Sequence, residues 1–265
     1  MIKFDGKKIR DEILSDLKKK VAILADKPIL AIISIGNNSV SEKYIEAKKK
    51  ACKFVGVGVE IIRFPDSVGQ SEVEQALKTI QAEGIFIQMP MPKPLDREAL
   101  IKLIPADKDV DGLRFCLGEK SNFLPPVVLA ILKAIELSGA DIKKSKIAII
   151  GRGFLVGKPL SRVLVEAGCN FQVVNSKTPD IKKITLAADL IISASGRPGI
   201  IKSSMIKNGA VLIDAGTTEV GGALVGDINP KVYEKSAFYT PVPGGIGPLT
   251  VAMLLTNLLE TKKSS

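Results

Sequence analysis

The chain has 265 residues, about the size at which one hydrophobic core gives way to two domains, and 46% of them are hydrophobic and 25% charged. This composition excludes a disordered chain, and the absence of any apolar stretch of about 18 residues excludes a transmembrane protein. The net charge of +10 favours anionic partners, and the absence of histidine excludes a serine–histidine triad, a histidine metal site and an imidazole base.

The first half of the chain alternates between two apolar patterns. Residues at helical spacing predict three helices, at 6–25, 39–55 and 70–82. Short apolar runs predict three buried strands, at 29–36, 57–64 and 84–90. Strands that alternate with helices in this way pair in parallel, so we expect an α/β domain.

A second series of strands follows a predicted connecting helix at 126–138, which begins at the pair Pro125-Pro126. Its strands are short and rich in β-branched residues, as expected when both faces of a parallel sheet are covered. They are predicted at 146–151, 171–176, 189–196 and 209–216. A last helix is predicted to begin near Thr250. The fold class is therefore α/β with two domains, the second of them a Rossmann-like parallel sheet.

The first strand of the second series runs into a glycine-rich turn that a helical pattern follows. Gly151 permits a tight turn, and Gly153 allows a pyrophosphate to approach the backbone. The helix beyond Gly157 offers N–H groups to anions. The spacing GxGxxxG differs from the commoner GxGxxG, and a purely structural turn is the alternative. The position between a strand and a helix favours a dinucleotide site.

The next strand ends in Asn175, Ser176 and Lys177, where an NAD-binding protein carries an Asp or Glu for the ribose hydroxyls. Arg152, Ser176 and Lys177 would instead surround a 2′-phosphate with cationic and hydroxyl donors. We therefore predict NADP as the cofactor, with NAD as the alternative. The competing interpretation is that Arg152 and Lys177 are exposed surface cations.

In the first domain, Tyr44 and Lys48 lie four residues apart on a predicted helix and therefore share one face. A phenol can hold a water molecule, while a desolvated lysine with a lowered pKa can act as a base. Gln88 follows an apolar strand, at the edge where open α/β sheets bind ligands. Taken alone, a tyrosine–lysine pair of this kind is more often a surface feature than a catalytic one.

Two loops add further candidates. Asp109 and Asp111 can accept hydrogen bonds from a 2-amino-pyrimidinone ring, although turn capping is the common use of such residues. No further ligand cluster accompanies them, so we expect no metal site. The loop at 239–250 is dense in proline and glycine, and it can shape a pocket with its backbone groups.

Together these motifs resemble those of the bifunctional methylenetetrahydrofolate dehydrogenase/cyclohydrolase family over nearly the whole chain. The matching stretches occur in the family's order: SEKYIEAKKKACKFVGV, GIFIQMPMP, DKDVDG, IIGRGFLVGKPL, NSKT, VLIDAGT, GDI and YTPVPGGIGPLTVAMLLTN. The last stretch is the most specific, and YxxxK, QMPMP and DVDG give independent support.

The resemblance implies an N-terminal folate-site domain (1–125 plus 245–265), a Rossmann-like NAD(P)-binding domain (126–244) and a cleft between them. It implies two reactions of one-carbon metabolism, which also serves purine biosynthesis. The first is the NADP-dependent oxidation of 5,10-methylenetetrahydrofolate to 5,10-methenyltetrahydrofolate. The second is the hydrolysis of the methenyl compound to 10-formyltetrahydrofolate. The resemblance further implies a homodimer built through the cofactor domains.

The resemblance also extends to single residues that have functional roles in the family. Lys48 matches the family's catalytic lysine, Tyr44 its neighbouring tyrosine, and Gln88 the glutamine that supports the lysine. Asp111 matches the aspartate that holds the pterin ring. The substrate-side loop contributes Pro243, Gly244 and Gly245. The cofactor side consists of Gly151, Arg152, Gly153, Gly157, Ser176 and Lys177. The family usually has serine at position 153 and often has histidine at position 175.

Two other functions stay open at this stage. A different two-domain NADP-dependent dehydrogenase, acting on a small hydroxy or amino acid, would share the turn at 151–157 but not the YIEAK, QMPMP and PVPGGIGPLT stretches. A nucleic-acid-binding protein would suit the charge of +10. Aromatic residues make up only 5% of the chain and are not interleaved with lysine clusters, so a solvated basic surface is preferred.

The remaining expectations concern partners and compartment. We expect a folate substrate, whose polyglutamylated form would suit the basic surface, and neither a nucleic acid nor a membrane. Cys52, Cys116 and Cys169 are widely separated and form no CxxC pair. A chain without a disulfide framework or a secretory signal is expected in the cytoplasm.

Overall fold

The computed structural model describes residues 1–263 as two compact α/β units. The three-stranded unit comprises Arg10–Pro126 and Val251–Ser265, of which residues 264 and 265 lie outside the described part. The six-stranded unit comprises Met1–Ile9 and Val127–Thr250. No helix within residues 1–263 is long and apolar enough to cross a membrane.

Strands and helices alternate along most of the chain. The strands are β1 (Ile2–Lys3), β2 (Ile29–Ile35), β3 (Gly58–Phe64), β4 (Gly84–Ile87), β5 (Ile147–Ile150), β6 (Phe171–Val174), β7 (Leu190–Ser193), β8 (Val211–Asp214), β9 (Thr218–Val220), β10 (Ala223–Val225) and β11 (Phe238–Tyr239). The helices are α1 (Gly6–Ala22), α2 (Ser39–Val55), α3 (Gln70–Thr79), α4 (Arg97–Leu103), α5 (Leu113–Leu117), α6 (Pro126–Ser138), α7 (Gly157–Glu166), α8 (Ile181–Ala187) and α9 (Ile246–Glu260). Short 3₁₀ turns cover Ser203–Met205, Pro230–Lys235 and Thr261–Lys263.

The three-stranded unit is built on a parallel sheet in the order β3-β2-β4. Six of the seven residues of the central strand β2 and all four of β4 are buried, which explains their continuous apolar sequences. One more backbone hydrogen bond, from the Gln88 N–H to the Ile33 carbonyl at 2.8 Å, continues the pairing beyond β4. Gln88 is thereby fixed at the carboxyl edge of the sheet, where open α/β sheets bind ligands.

The six-stranded unit contains a wholly parallel sheet in the order β1-β11-β8-β7-β5-β6. Strand β5 pairs with β6 on one side and with β7 on the other, so the strand order reverses direction between β5 and β7. Ligands of open α/β sheets bind outside the carboxyl ends of the strands at such a switch point. The core includes Ile150, Ile191 and Leu212, one from each of the strands β5, β7 and β8.

The predicted strands are confirmed, and each is shorter than its apolar run. The helices at 39–55 and 126–138 have the predicted bounds. The predicted start of the last helix is wrong, because α9 begins at Ile246 and accommodates Pro248 in its first turn, where the missing N–H has no intrahelical partner. The sequence patterns do not predict β1, β9, β10, β11, α4, α5 or α8, which have two to seven residues each.

The N-terminal nine residues lie in the six-stranded unit, whereas the sequence prediction assigned them to the folate-site domain. The reason is that β1 pairs with β11, with Ile2 opposite Phe238. In addition, the Gly6 N–H donates to the Gly244 carbonyl at 3.0 Å. The first turn of α9, up to Thr250, also belongs to this unit.

Candidate active site

A buried lysine and a glutamine meet in the three-stranded unit. Lys48 on α2 is only 7% exposed, and its Nζ donates to Oε1 of Gln88 at 3.0 Å. The Gln88 Nε2 donates to the Met89 carbonyl at 2.7 Å. Because the amide nitrogen is held by this second bond, the amide oxygen is the atom presented to the lysine.

The surroundings of Lys48 favour its neutral form. Its Nζ lies 4.1 Å from the centre of the Phe86 ring and 5.9 Å from that of Tyr44. Burial lowers the pKa of Lys48 from 10.5 to about 8, although Asp111 and Cys52 act in the opposite direction. A substantial fraction of this amine is therefore neutral at slightly alkaline pH and can accept a proton.

Tyr44 lies one helical turn before Lys48, as its sequence position predicts. It is 43% exposed, in contrast to the lysine. A phenol in this position combines a ring beside the amine with access to solvent, so it can contact a ligand and a water molecule at once.

The two aspartates of the DVDG motif have different surroundings. Asp109 is completely buried and accepts hydrogen bonds from the backbone N–H groups of Leu113 (3.0 Å) and Arg114 (2.7 Å). It therefore caps α5, and burial raises its pKa to about 6 against the lowering effect of these bonds. The capping interpretation thus applies to Asp109.

Asp111 is partly buried and interacts electrostatically with Lys48. Burial raises its pKa, and the lysine opposes that rise. Among the described residues, none donates a hydrogen bond to its carboxylate. The carboxylate is therefore available to a ligand that carries N–H donors.

Asn257, which the sequence analysis does not single out, holds the DVDG segment in place. It is 5% exposed, and its Nδ2 donates to the carbonyl oxygens of Val110 (2.8 Å) and Leu124 (2.9 Å). The amide thus joins two parts of the backbone, and one of its acceptors, the Val110 carbonyl, belongs to the residue before Asp111. The available signal was an amide in the mostly apolar helix α9, where a buried polar group requires hydrogen-bond partners.

In the six-stranded unit, the glycine-rich turn joins β5 to α7. The Gly151 N–H donates to the Val174 carbonyl at 2.8 Å, and its φ of 107° belongs to the region that favours glycine. A Cβ at Gly151 would run into the backbone of Ala194, and one at Gly157 would run into the Gly151 carbonyl. A Cβ at Gly153 would meet no atom within 4 Å. Packing within the turn therefore requires glycine at positions 151 and 157. The space beside Gly153 is open, and a diphosphate could approach the backbone there.

The predicted 2′-phosphate residues lie at the same edge of this sheet. Arg152 follows β5, and Ser176 and Lys177 follow the neighbouring parallel strand β6; all three are exposed. The Lys177 N–H donates to Oδ1 of Asn175 at 2.8 Å, which shapes the turn after β6.

The structure thus groups the predicted residues by unit. Tyr44, Lys48, Gln88 and Asp111 lie together in the three-stranded unit. The loop residues Pro243, Gly244 and Gly245 belong to the six-stranded unit, as do all the predicted cofactor residues.

Comparison with known proteins assigns both halves of the chain. The model of the tetrahydrofolate dehydrogenase/cyclohydrolase catalytic domain matches residues 4–111, and that of the family's NAD(P)-binding domain matches residues 125–265. The bifunctional protein FolD of Aquifex aeolicus (strain VF5) is 36% identical over 274 residues, which cover 98% of this chain and 94% of that protein.

The chain belongs to the tetrahydrofolate dehydrogenase/cyclohydrolase family.

Two solved structures of this family share the fold throughout. The bifunctional FolD dehydrogenase/cyclohydrolase of Campylobacter jejuni has a TM-score of 0.93 and 33% identity, and the match covers 100% of this chain and 99% of that one. The FolD of Trypanosoma brucei, solved with NADP and an inhibitor, has a TM-score of 0.92 and 32% identity, with 99% and 97% covered. Family membership over both domains disfavours a dehydrogenase of small hydroxy or amino acids.

Within the tetrahydrofolate dehydrogenase/cyclohydrolase framework, the Lys48 group has the parts that hydrolysis of a cation requires. A largely buried amine can take up and return a proton, the Gln88 oxygen holds it in place, and the Asp111 carboxylate can bind N–H donors. The glycine-rich turn and the exposed cations belong to the NAD(P)-binding domain.

Proposed function

We propose that this protein oxidises 5,10-methylenetetrahydrofolate to 5,10-methenyltetrahydrofolate with NADP and hydrolyses the product to 10-formyltetrahydrofolate. The observation that carries the proposal is the buried Lys48 amine, which is hydrogen-bonded to neutral Gln88 at 3.0 Å and attracted by the Asp111 carboxylate. When bound, NADP accepts the hydride from the methylene carbon. Hydride transfer needs no protein base, so the base in the three-stranded unit serves the hydrolysis.

Lys48 is the base and acid of that hydrolysis. Water adds to the methenyl carbon and gives one proton to the neutral amine of Lys48. Collapse of the adduct then breaks the carbon–N5 bond: N5 takes a proton from Lys48, and the hydroxyl loses its proton to solvent as the formyl C=O forms. The net reaction consumes one water and releases one proton, and Lys48 returns to its neutral state.

The neighbours of Lys48 hold the reactants. Asp111 accepts N–H donors of the pterin ring, in line with its carboxylate being unengaged within the described residues. Gln88 keeps the amine oriented, and Tyr44 contacts the folate and the attacking water. A role in substrate binding stays a prediction for Pro243, Gly244 and Gly245, which belong to the six-stranded unit.

Substitution of Lys48 tests this mechanism. Lys48→Met should reduce methenyltetrahydrofolate hydrolysis by at least about 100-fold, because general acid–base catalysis contributes that much or more. Hydride transfer should survive in part, and Tyr44→Phe should lower hydrolysis less severely. Both activities are followed spectrophotometrically.

The matched control is Lys49→Met. Lys49 is the next residue on the same helix, but its side chain is 40% exposed and is paired with Glu46 at 2.6 Å. The Lys49→Met protein should hydrolyse methenyltetrahydrofolate at the wild-type rate. Undiminished hydrolysis by a folded Lys48→Met protein would remove Lys48 from the mechanism.

Our assignment of NADP rests on the exposed Arg152, Ser176 and Lys177 at the carboxyl ends of β5 and β6. The T. brucei relative solved with NADP supports it. A 2′-phosphate would gain charge-assisted hydrogen bonds, each worth about 1.5–3 kcal/mol. Arg152→Ala should therefore weaken NADP binding by about tenfold or more and spare NAD.

The control for Arg152 is Arg162→Ala on α7, whose guanidinium pairs with Glu166 at 3.0 Å. It should leave the ratio of the two cofactor affinities unchanged. Equal catalytic efficiency with NAD and NADP in the unmodified protein would defeat the role of Arg152, though not the folate assignment.

We also propose a cytoplasmic homodimer joined through the cofactor domains, with polyglutamylated folates as substrates and purine biosynthesis as a consumer of the product. The net charge of +10 supports an anionic polyglutamate tail. Light scattering gives the oligomeric state, and KM values for mono- and polyglutamylated substrate test the tail.

A further inference from the structure

A completely buried carboxylate lies beneath the loop that follows β7. Asp227 has no exposed surface, and its Oδ2 accepts hydrogen bonds from Ser193 Oγ (2.8 Å), Ser195 N (2.6 Å) and Ser195 Oγ (2.9 Å). Its Oδ1 accepts from the Arg197 N–H at 2.9 Å. Three of these four bonds go to residues 194–197, which we call the 194–197 loop.

The chain is built around this carboxylate. A Cβ at Gly216 would run into the Asp227 carboxylate, and one at Gly226 would run into that of Asp214. Asp214, at the end of β8, accepts from the Ile228 N–H at 2.8 Å and the Asp227 N–H at 3.3 Å. Asp214 therefore fixes the backbone that carries Asp227, and Asp227 in turn fixes the 194–197 loop.

The 194–197 loop lies against the glycine-rich turn. Only a glycine fits at position 151, because a Cβ there would meet the carbonyl of Ala194 and the Cα of Ser195. The loop follows β7 and the turn follows β5, so the two flank the switch point of the sheet. Besides the bonds to Asp227, the loop accepts a hydrogen bond at its Gly196 carbonyl from Oγ1 of Thr218 on β9, at 3.1 Å.

We propose that Asp227 is a positioning residue for the cofactor, which holds the 194–197 loop against the Gly151 turn so that the loop forms the second wall of the cofactor crevice. A carboxylate suits this task because it only accepts hydrogen bonds, and all four groups that face it are donors. An asparagine of the same shape would turn its NH₂ group towards one of these donors, and a backbone N–H of the loop would lose its bond to this side chain. The proposal rests on the proposed use of NAD(P).

The experiment compares Asp227→Asn with the wild type in both reactions. We expect the calorimetric Kd and the KM for NADP to rise by about tenfold or more. The kcat/KM for methenyltetrahydrofolate hydrolysis should stay within twofold, because the catalytic residues Tyr44, Lys48 and Gln88 lie in the three-stranded unit. Without cofactor, the amides of Ser195 and Arg197 should exchange hydrogen faster than in the wild type.

Two further variants separate positioning from general stability. Ser193→Ala removes a donor that lies in β7 rather than in the loop, and the NADP KM should stay within twofold. Ser195→Ala removes a loop donor, so it should raise the NADP KM, and Ser195→Thr, which keeps the hydroxyl, should restore it. The Ser195 pair also tests the proposal should Asp227→Asn not fold.

The proposal is overturned by an unchanged NADP affinity in folded Asp227→Asn. It is also overturned by a rise in Ser193→Ala equal to that in Asp227→Asn, or by an equal loss of both activities. A wild-type protein without folate-dependent reduction of NADP or NAD would instead refute the proposed function. If the wild type uses NAD, the same comparison is made with NAD.

Discussion

Lys48 shows how one residue obtains an unusual protonation state. Its amine is buried beside Phe86, and its hydrogen-bond partner is the neutral amide of Gln88. Desolvation therefore outweighs the attraction of Asp111, which acts without a direct hydrogen bond, and the pKa falls to about 8. Hydrolysis that requires the neutral amine should rise with pH through about 8 and level off above it.

Gln88→Glu tests this balance. A carboxylate at 3.0 Å would stabilise the ammonium form, so the midpoint of the pH–rate profile should move upward by about one unit or more. Activity at pH 7 should fall accordingly. Gln75→Glu makes the same change on the exposed side of α3 and should leave the midpoint in place. A midpoint that stays at about 8 in Gln88→Glu would mean that another group controls the profile.

At this scale the sequence predicts which residues share a face but not which ones touch. The spacing of Tyr44 and Lys48 places them together on a helix. The bond between Lys48 and Gln88 depends on how α2 packs near the end of β4, and the Asn257 bonds depend on α9. Such contacts join distant parts of the chain, and no local pattern encodes them.

At the scale of elements, the sequence pattern predicts the existence of α9 correctly but its first residue wrongly. The apolar stretch predicts the helix, but Gly247 and Pro248 are residues typical of loops, so the sequence does not predict that they form the first turn. The loop is packed closely at its end: Gly245 is buried, and a Cβ at Gly6 would run into its carbonyl group. Strands β1 and β11 escape prediction because their pairing, not their composition, defines them.

Gly6→Ala should therefore destabilise the protein by about 1–3 kcal/mol, because the obstructing atoms belong to the backbone and cannot rotate away. Gly247→Ala is the matched control. A Cβ at Gly247 in the first turn of α9 would meet nothing within 4 Å, so the change should be neutral or stabilising by up to about 1 kcal/mol. Thermal unfolding midpoints distinguish the two. A Gly6→Ala protein as stable as the wild type would contradict the close packing.

At the scale of the whole molecule, the catalytic group of the proposed folate site and the proposed cofactor site lie in different units. The Lys48–Asp111 group lies in the three-stranded unit, and the glycine-rich turn lies in the six-stranded unit. Prediction of two α/β domains needs only the alternation of strands and helices. The exact division depends on β1, which pairs far along the chain.

Asp111→Ala should therefore raise the folate KM in both reactions by about tenfold or more, since it removes a charged acceptor of the pterin. The affinity for NADP should stay near the wild-type value in a direct titration. Arg152→Ala should give the opposite pattern. An Asp111→Ala protein that keeps its affinity for folate but has a lower affinity for NADP would show that the two ligands are assigned to the wrong units.

The pairing of β1 with β11 also governs when the protein can finish folding. During synthesis Ile2 leaves the ribosome early, but its partner Phe238 follows only after nearly the whole chain has been made. The three-stranded unit likewise awaits its last segment, which begins at Val251. Until then β8 presents an unpaired edge, to which another nascent chain could add a strand. Release of a chain that stops before residue 238 would leave both units incomplete.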